Sequence, residues 1–211
     1  MRDEHCHIIW GVDDGSSSKQ ESLEMLDAAR GIGITEMICT PHMRWDTFDN
    51  ALVKSRFEEL RHEGEARGIK MELAYEVFYN RLMRMGLEHA PEFVQQGTNK
   101  ILIEFNTGAP MEQGWERTVY DLQSKYGLKV VMAHPERYTT VLDDFEQVYR
   151  IKDAGCRIQV SAGDLLGGMF NKPAKCAKWI IKEGLCDALV TDAHCVDHYA
   201  EYEKAAKKIG W

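Results

Sequence analysis

Short apolar runs alternate with longer amphipathic stretches along most of the chain. Between the runs, apolar residues recur at helical spacing, as Ala174, Ala177 and Ile181 do on one face. The seven apolar runs have the length and composition of buried strands. They are HCHIIW (5–10), EMICT (36–40), KMELAY (70–75), KILIEF (100–105), KVVMAH (129–134), RIQV (157–160) and DALVTD (187–192). Helices are expected to begin near Ser17, Asp49, Met111, Leu142, Lys172 and Asp197.

This order of elements predicts an α/β fold with a parallel sheet. Seven repeats of strand and helix favour a distorted (β/α)7 TIM-like barrel, and an open doubly wound sheet is the alternative. The length suits a single domain over residues 1–211. In a barrel, the C-terminal ends of the strands converge on one face, so we expect the functional site there.

Polar side chains with metal-binding chemistry follow or interrupt six of the seven apolar runs. They are His5, His7, His42, Glu76, Glu104, His134, Asp192 and His194. Five of the eight histidines in the chain belong to this set, which scatter over the surface does not explain. The first run differs from the others, because its histidines stand near its start and not at its end.

Each of these residues also has a purely structural interpretation. His5 and His7 share one face of a strand, and a pair of buried, hydrogen-bonded histidines is the commoner arrangement. Asp13 and Asp14 read as an ordinary turn before Gly15. A carboxylate beside an apolar run, as at positions 76 and 104, is harder to explain, because its burial is costly unless it is paired or metal-bound.

Together, these residues predict a metal centre of nine ligands. The set is His5, His7, Asp14, His42, Glu76, Glu104, His134, Asp192 and His194. Nine ligands exceed the needs of one tetrahedral ion and suit two or three divalent ions. Four crowded carboxylates would repel one another unless cations lay between them. The positive charge of three divalent ions would exceed the negative charge of the four carboxylates by two. This surplus matches the charge of a phosphate dianion and points to phosphoester chemistry.

Arg137 closely follows His134 in the stretch AHPERY and is the candidate phosphate contact. A guanidinium group binds phosphate oxygens in a bidentate manner. The structural alternative is an arginine that pairs with Glu136 or caps a helix.

Composition and cysteine spacing exclude several classes of protein. The net charge of −8 leaves no basic excess for nucleic acid. No apolar run reaches the roughly 18 residues of a membrane span, and the N-terminus does not read as a signal peptide. We therefore expect a cytoplasmic protein with reduced thiols. No arginine stands six residues after any of the six cysteines, so a phosphatase would not use a cysteine nucleophile.

These motifs together resemble the PHP (polymerase and histidinol phosphatase) family. Within it, the chain is similar to the manganese-dependent tyrosine-protein phosphatases of bacterial capsule and exopolysaccharide synthesis. The resemblance covers residues 3 to about 195, in the family's order. It is carried by DEHCHIIWGVDDG, ICTPH, the Glu76 strand, ILIEF, MAHPERY, QVSAGDLLGG and TDAH.

The resemblance implies a trinuclear site, with manganese as the metal and iron or zinc as alternatives. One ion would be held by His5, His7, Glu76 and Asp192, a second by Glu76, Glu104 and His134, and a third by Asp14, His42 and His194. A metal-bound hydroxide would attack phosphorus while Arg137 holds the phosphate, and His42 and His194 would also be catalytic. The implied substrate is a phosphotyrosine cluster on a capsule-regulating tyrosine kinase.

Two departures from the family pattern leave alternatives open. Tyr199 stands where the family commonly has a second phosphate-binding arginine, and the stretch AYEVF lacks the usual glutamine and arginine neighbours of Glu76. One alternative is a small-molecule phosphatase of the same family, with a substrate such as histidinol phosphate. The other is a metal-dependent module that binds a phosphorylated partner without turnover. The oligomeric state is not predicted.

Overall fold

The computed structural model describes residues 1–44 and 46–211. In these ranges the chain forms nine strands. They are β1 (Arg2–Cys6), β2 (Glu36–Cys39), β3 (His42–Met43), β4 (Lys70–Leu73), β5 (Glu76–Phe78), β6 (Lys100–Glu104), β7 (Lys129–Met132), β8 (Arg157–Ser161) and β9 (Ala188–Val190).

The strands form a curled parallel arrangement. One sheet has the order β1-β2-β4 and the other has the order β3-β5-β6-β7-β8-β9, with parallel pairing throughout. A bridge between Cys6 and Ala193 connects β1 to the segment after β9. The parallel α/β class is therefore confirmed. The count of seven repeats stays a prediction, because two residues separate β2 from β3 and β4 from β5.

The described residues form eight α-helices, seven between strands and one after β9. They are α1 (Lys19–Gly31), α2 (Asn50–Ala66), α3 (Tyr79–Met85), α4 (Trp115–Tyr126), α5 (Thr139–Asp143), α6 (Gln147–Asp153), α7 (Lys172–Lys182) and α8 (Asp197–Ile209). The predicted starts of α1 and α2 are confirmed, since the side chains of Ser18 and Asp49 accept hydrogen bonds from the first helical N–H groups.

Two helix predictions need correction. The helix expected near Met111 begins at Trp115, after Gly114 in a left-handed conformation with a φ of 79°. The helix expected near Leu142 is divided into α5 and α6, because Asp144 has an extended backbone with a φ of −151°. Only α-helical backbone can continue the hydrogen-bond ladder, so each of these residues marks a helix boundary.

The first strand is also displaced from its prediction. The apolar run covers residues 5–10, but β1 spans Arg2–Cys6, and Ile8 and Ile9 are buried core residues outside the strand. His5 therefore lies near the end of β1 and His7 directly after it. The expectation that the first strand differs from the others was wrong, since its histidines also lie at the C-terminal end.

The hydrophobic core lies between the strands and the inner faces of the helices. Phe57 and Leu60 of α2 and Ile180 of α7 are almost completely buried in it. Cys6, between the two histidines, is a core residue as well. In the part of the chain that the structure describes, no helix has both the length and the apolar character needed to cross a membrane.

Candidate metal centre

The structure brings all nine predicted ligands together. Their imidazole nitrogens and carboxylate oxygens form four groups, and within each group the ligand atoms lie within 4.8 Å of one another. The groups are His7, Asp14, His42 and His194; His5, Glu76 and His134; His5, His7 and Asp192; and His42, Glu76 and Glu104. The assignment of particular ligands to particular ions stays a prediction.

The parallel register places several of these residues side by side. His42 is the first residue of β3 and pairs with Glu76, the first residue of β5. Glu104 is the last residue of β6 and pairs with Phe78. The parallel pairing of β3 with β5 and of β5 with β6 thus brings side chains that are distant in sequence close together.

Backbone strain coincides with two of the predicted ligands. His134 has a φ of 26° and Asp192 a φ of 49°, and among the described residues no other non-glycine residue has a positive φ. Such a conformation costs roughly 1–3 kcal/mol and persists where surrounding contacts require it. Here it turns two side chains at strand ends towards the common centre.

Glu76 is the centre of the set. Its Oε1 lies 2.7 Å from His134 Nε2, and its Oε2 lies 2.9 Å from His42 Nδ1. The same Oε2 is 3.4 Å from His5 Nε2 and 3.3 Å from His7 Nε2. Burial alone would raise the pKa of this carboxyl group, but the charges of His5 and His42 and the hydrogen bonds of the imidazoles hold it well below its usual range.

Asp192 continues the buried part of the site. Its Oδ1 lies 3.4 Å from the Nε2 atoms of both His5 and His7. Its Oδ2 lies 2.7 Å from an Nη atom of Arg137. Burial opposes its charge, yet Arg137 and His5 hold its pKa well below the usual range. Like Glu76, it is an ionised carboxylate in a buried position.

Asp14 and His194 form a more open part of the site. Asp14 Oδ1 lies 3.3 Å from His42 Nε2 and 3.6 Å from His194 Nε2. The side chains of Asp14 and His194 are 55% and 26% exposed. The nearby imidazole of His194 is the largest reason why the pKa of Asp14 is lowered to about 2.

Glu104 is buried and short of partners. Its nearest basic atoms are His42 Nδ1 at 3.8 Å and Arg44 Nη1 at 4.0 Å. Its Oε2 makes no hydrogen bond to any other described residue. Burial and the nearby charge of Glu76 raise its pKa to about 7. A buried oxygen without a donor fits a position where a cation would be the partner.

Arg137 lies beside this set in a short 3-10 helix, Pro135–Arg137. It donates hydrogen bonds from Nε to Asp164 at 2.6 Å and from Nη2 to Ser161 at 2.9 Å. Together with the contact to Asp192, these bonds fix the guanidinium group at the edge of a cavity of about 240 Å³ that is also lined by His194. The structural alternative, an ion pair with Glu136, is not formed among the described residues.

Sequence reasoning missed the residues that orient the histidines. The Asp13 side chain is fully buried, and its Oδ2 accepts hydrogen bonds from His7 Nδ1 at 2.8 Å and from the His42 backbone N–H at 3.0 Å. Gln159 Oε1 lies 3.1 Å from His5 Nδ1. Histidines that bind metals commonly donate their second ring N–H to such a partner. The predicted histidine ligands therefore already implied that partners of this kind exist.

Gly15 explains how Asp13 reaches this position. A Cβ atom at residue 15 would lie 2.1 Å from the carbonyl oxygen of His7, so only glycine allows the turn to pack against the end of β1. The Gly15 N–H also donates to Asp13 Oδ1 at 3.0 Å.

Tyr199 and the cysteines lie away from this chemistry. Tyr199 is fully buried in the hydrophobic core, and it is not among the residues that line the cavity beside Arg137. All six cysteines are free, and burial raises the pKa of Cys6, Cys156, Cys176 and Cys186. A thiol with a raised pKa is a poor nucleophile at neutral pH, because the thiolate is the reactive form.

Comparison with known proteins places this centre in a family. The family model described as "Capsular polysaccharide synthesis, CpsB/CapC" matches residues 1–209. The chain is 28% identical over 222 residues to the tyrosine-protein phosphatase CpsB of Streptococcus agalactiae, across 99% of this chain and 89% of that protein. It is 31% identical over 205 residues to the tyrosine-protein phosphatase YwqE of Bacillus subtilis, across 93% of this chain and 78% of that protein.

A solved structure agrees with these matches. It comes from the crystal structures of YwqE from Bacillus subtilis and CpsB from Streptococcus pneumoniae, described as unique metal-dependent tyrosine phosphatases. Its TM-score is 0.85 at 28% identity, with 99% of this chain and 87% of that chain covered. The chain described here therefore belongs to the capsular polysaccharide synthesis CpsB/CapC family.

Proposed function

We propose that this protein is a metal-dependent protein-tyrosine phosphatase that acts on a capsule- or exopolysaccharide-regulating tyrosine kinase. One observation carries the proposal. Nine histidine and carboxylate side chains converge around the buried Glu76, and Arg137 lies at the edge of the same centre. In this proposal a single domain, residues 1–211, contains the complete site.

The donor set fits two or three divalent ions. Imidazole and carboxylate ligands in this number suit manganese, and they also accept iron or zinc. The buried Glu104 Oε2, which lacks a hydrogen bond, supports a cation at this place. When bound, the ions would supply positive charge for the phosphate and lower the pKa of a water molecule. Manganese is our proposed metal, and elemental analysis of the purified protein tests that choice.

Arg137 would bind the phosphate group in this reaction. Asp164 and Ser161 occupy its Nε and one Nη atom, so its orientation is set before the substrate arrives. Its charge would be placed against the oxygens that gain negative charge as the phosphoester is hydrolysed. His42 and His194, on the open side, are the other residues that we propose as catalytic.

Hydrolysis joins an oxygen of water to phosphorus and breaks the bond between phosphorus and the tyrosine oxygen. The proton lost by water balances the charge of the leaving tyrosinate. The pKa of a phenol is about 10, so this leaving group needs less protonation than an alkyl alcohol. An aryl phosphate is therefore a suitable substrate for a site whose side chains mainly bind metal ions.

The site also bears on the two alternatives. Tyr199 was the reason to consider a small-molecule substrate, but it is buried in the core and does not line the cavity beside Arg137. A binding module without turnover would not need a guanidinium group held against the ligand Asp192. We further propose a cytoplasmic location, since all six cysteines are free in the structure.

The test is turnover by the full chain after loading with manganese. We expect hydrolysis of a phosphotyrosine peptide to exceed that of histidinol phosphate and of a phosphoserine peptide. Arg137→Ala should reduce the rate by roughly 10²- to 10³-fold, the typical effect of removing one group that stabilises transition-state charge. Arg117→Ala is the matched control, because Arg117 is 71% exposed and pairs with Asp121.

The outcomes separate the candidate functions. Faster turnover of histidinol phosphate would assign the protein to small-molecule chemistry. Tight binding of the phosphopeptide without any turnover would favour the binding module. Equal rates for Arg137→Ala and Arg117→Ala would remove Arg137 from the proposed mechanism.

A further inference from the structure

A second arginine lies at the edge of the metal centre, in a different part of the chain from Arg137. Arg44 directly follows β3, and its guanidinium group lies 4.8 Å from the centroid of the Phe78 ring at the end of β5. Glu104, at the end of the adjacent β6, is 4.0 Å from Arg44 Nη1. Three neighbouring strand ends therefore meet in this small group.

The two arginines contact different members of the ligand set. Arg137 lies against Asp192, whereas Arg44 lies near Glu104. Among the described residues, no other arginine comes within 4.0 Å of a carboxylate in the nine-residue set. Two guanidinium groups therefore lie beside two different carboxylates of the set.

The arginines differ in how their hydrogen-bond donors are used. Arg137 is bonded to Asp164, Ser161 and Asp192. Arg44 donates no hydrogen bond to any described residue, and its separation from Glu104 exceeds hydrogen-bond length. The contact with Phe78 holds the guanidinium group over the aromatic ring, and its N–H donors have no hydrogen-bond acceptor among the described residues.

An oriented guanidinium group with available donors at the mouth of a cation-binding centre suits an oxyanion. The Arg44 side chain is 31% exposed, so a ligand can reach it from solvent. We propose that Arg44 is a second phosphate-binding residue, which adds a guanidinium contact to that of Arg137. This inference rests on the proposed phosphatase function and adds a substrate contact to it.

The test compares the full chain, loaded with manganese, with Arg44→Ala, Arg44→Lys and Phe78→Leu. The readouts are the inhibition constant of inorganic phosphate, KM and kcat for a phosphotyrosine peptide and for p-nitrophenyl phosphate, and metal content. Arg117→Ala is the matched control, since Arg117 also pairs with a carboxylate and lies 5.2 Å from an aromatic ring centroid.

We expect Arg44→Ala to weaken phosphate inhibition and to raise KM for both substrates by about 10- to 100-fold, as for a lost hydrogen bond to a charged group. Arg44→Lys should restore part of the affinity, because it keeps the charge but not the planar donors. Phe78→Leu should change the same constants in the same direction by a smaller factor. Metal content should remain at the wild-type level.

Other results would overturn the inference. If phosphate inhibition in all three variants stays within about twofold of Arg117→Ala, Arg44 does not contact phosphate. A change confined to the peptide KM would place Arg44 on the peptide and not on its phosphate. If Arg44→Ala loses metal, Arg44→Lys replaces it in the comparison, because it keeps a positive charge beside Glu104.

Failure of the proposed function gives a separate signature. A wild-type protein that hydrolyses no phosphoester contradicts the phosphatase assignment whatever its variants do. Calorimetric binding of inorganic phosphate to the manganese-loaded protein still tests Arg44 in that case. Equal phosphate affinity in wild type and Arg44→Ala would then reject the contact.

Discussion

The inner and outer parts of the metal centre differ in both burial and partners. The inner carboxylates, Glu76 and Asp192, have side chains that are 0% and 3% exposed. The outer pair, Asp14 and His194, is 55% and 26% exposed. Imidazole rings surround the inner carboxylates on several sides, whereas Asp14 has only His42 and His194 as basic partners within 4.0 Å among the described side chains.

This difference predicts two classes of metal binding. An inner carboxylate cannot be hydrated, so its charge must be balanced by imidazolium, by Arg137 or by a bound ion. The outer pair is already in contact with water, which partly compensates the charge of Asp14. An ion bound there therefore adds less stabilisation than an inner ion does. We therefore expect the inner ions to be held tightly and the outer ion to exchange more readily.

The largest effect is expected from Glu76→Gln, which breaks the inner part of the centre. The substitution keeps the shape but removes the charge that faces four imidazoles, so the inner ions should be lost. Metal ions contribute several kcal/mol to catalysis, which corresponds to a loss of roughly 10³-fold or more in kcat/KM. Metal analysis and peptide turnover provide the measurements.

Glu136→Gln is the control for this change. Glu136 is also completely buried, but it is outside the ligand set, and burial raises its pKa to about 8. A raised pKa lowers its negative charge at neutral pH, so the amide should alter metal content little. Retention of all metal by Glu76→Gln would show that burial, and not charge, distinguishes the inner group.

A smaller effect is expected from Asp14→Asn, which breaks the outer pair. The variant should lose about one metal equivalent while the inner ions remain, and its kcat/KM should fall by roughly 100-fold, since about 3 kcal/mol of metal stabilisation would be removed. Asp143→Asn, at a position that is 70% exposed, is the matched surface control. Loss of every ion from Asp14→Asn would mean that the two parts are not separate.

A third variant tests the support beneath the inner histidines. Asp13→Asn places an amide where His7 Nδ1 and the His42 N–H now donate, so at least one of these hydrogen bonds is lost. Changes to such supporting contacts typically cost about 10- to 100-fold in metal affinity or activity. Competition with a chelator measures the affinity, and an unchanged value would assign Asp13 to the turn alone.

The nine ligands could be predicted because of their chemistry and position. A histidine or carboxylate directly beside an apolar run, as at Glu104 and His134, is unusual enough to be informative from sequence. The strands themselves followed from the apolar runs. The strands β3 and β5 were not predicted, because they have two and three residues and begin with His42 and Glu76, which have no apolar character.

The contacts between distant segments could not be predicted in the same way. Asp13 looks like a turn residue, and its role depends on a close approach of Gly15 to the end of β1, which no local pattern encodes. Arg44 likewise gains its position from the register that places Phe78 beside Glu104. Helix boundaries at Gly114 and Asp144 depended on single backbone conformations.

A last variant, which leaves the metal ligands in place, separates burial from partners as the cause of the inner group's properties. Asp3 is as buried as Glu76, but its carboxylate accepts hydrogen bonds from the backbone N–H and hydroxyl of Thr191 and from the His5 N–H. Burial is the largest influence and raises its pKa to about 6. The folded protein therefore holds this proton more tightly than the unfolded chain, whose carboxyl pKa is about 3.8.

The free energy of unfolding should consequently fall as the pH rises from about 4 to about 6, and this contribution should be constant above that range. The pKa difference corresponds to at most about 3 kcal/mol. Asp3→Asn cannot titrate, so urea unfolding should show the wild type losing stability relative to the variant across this window. Parallel curves would mean that Asp3 stays ionised like Glu76, and burial alone would then not explain why the two carboxylates differ.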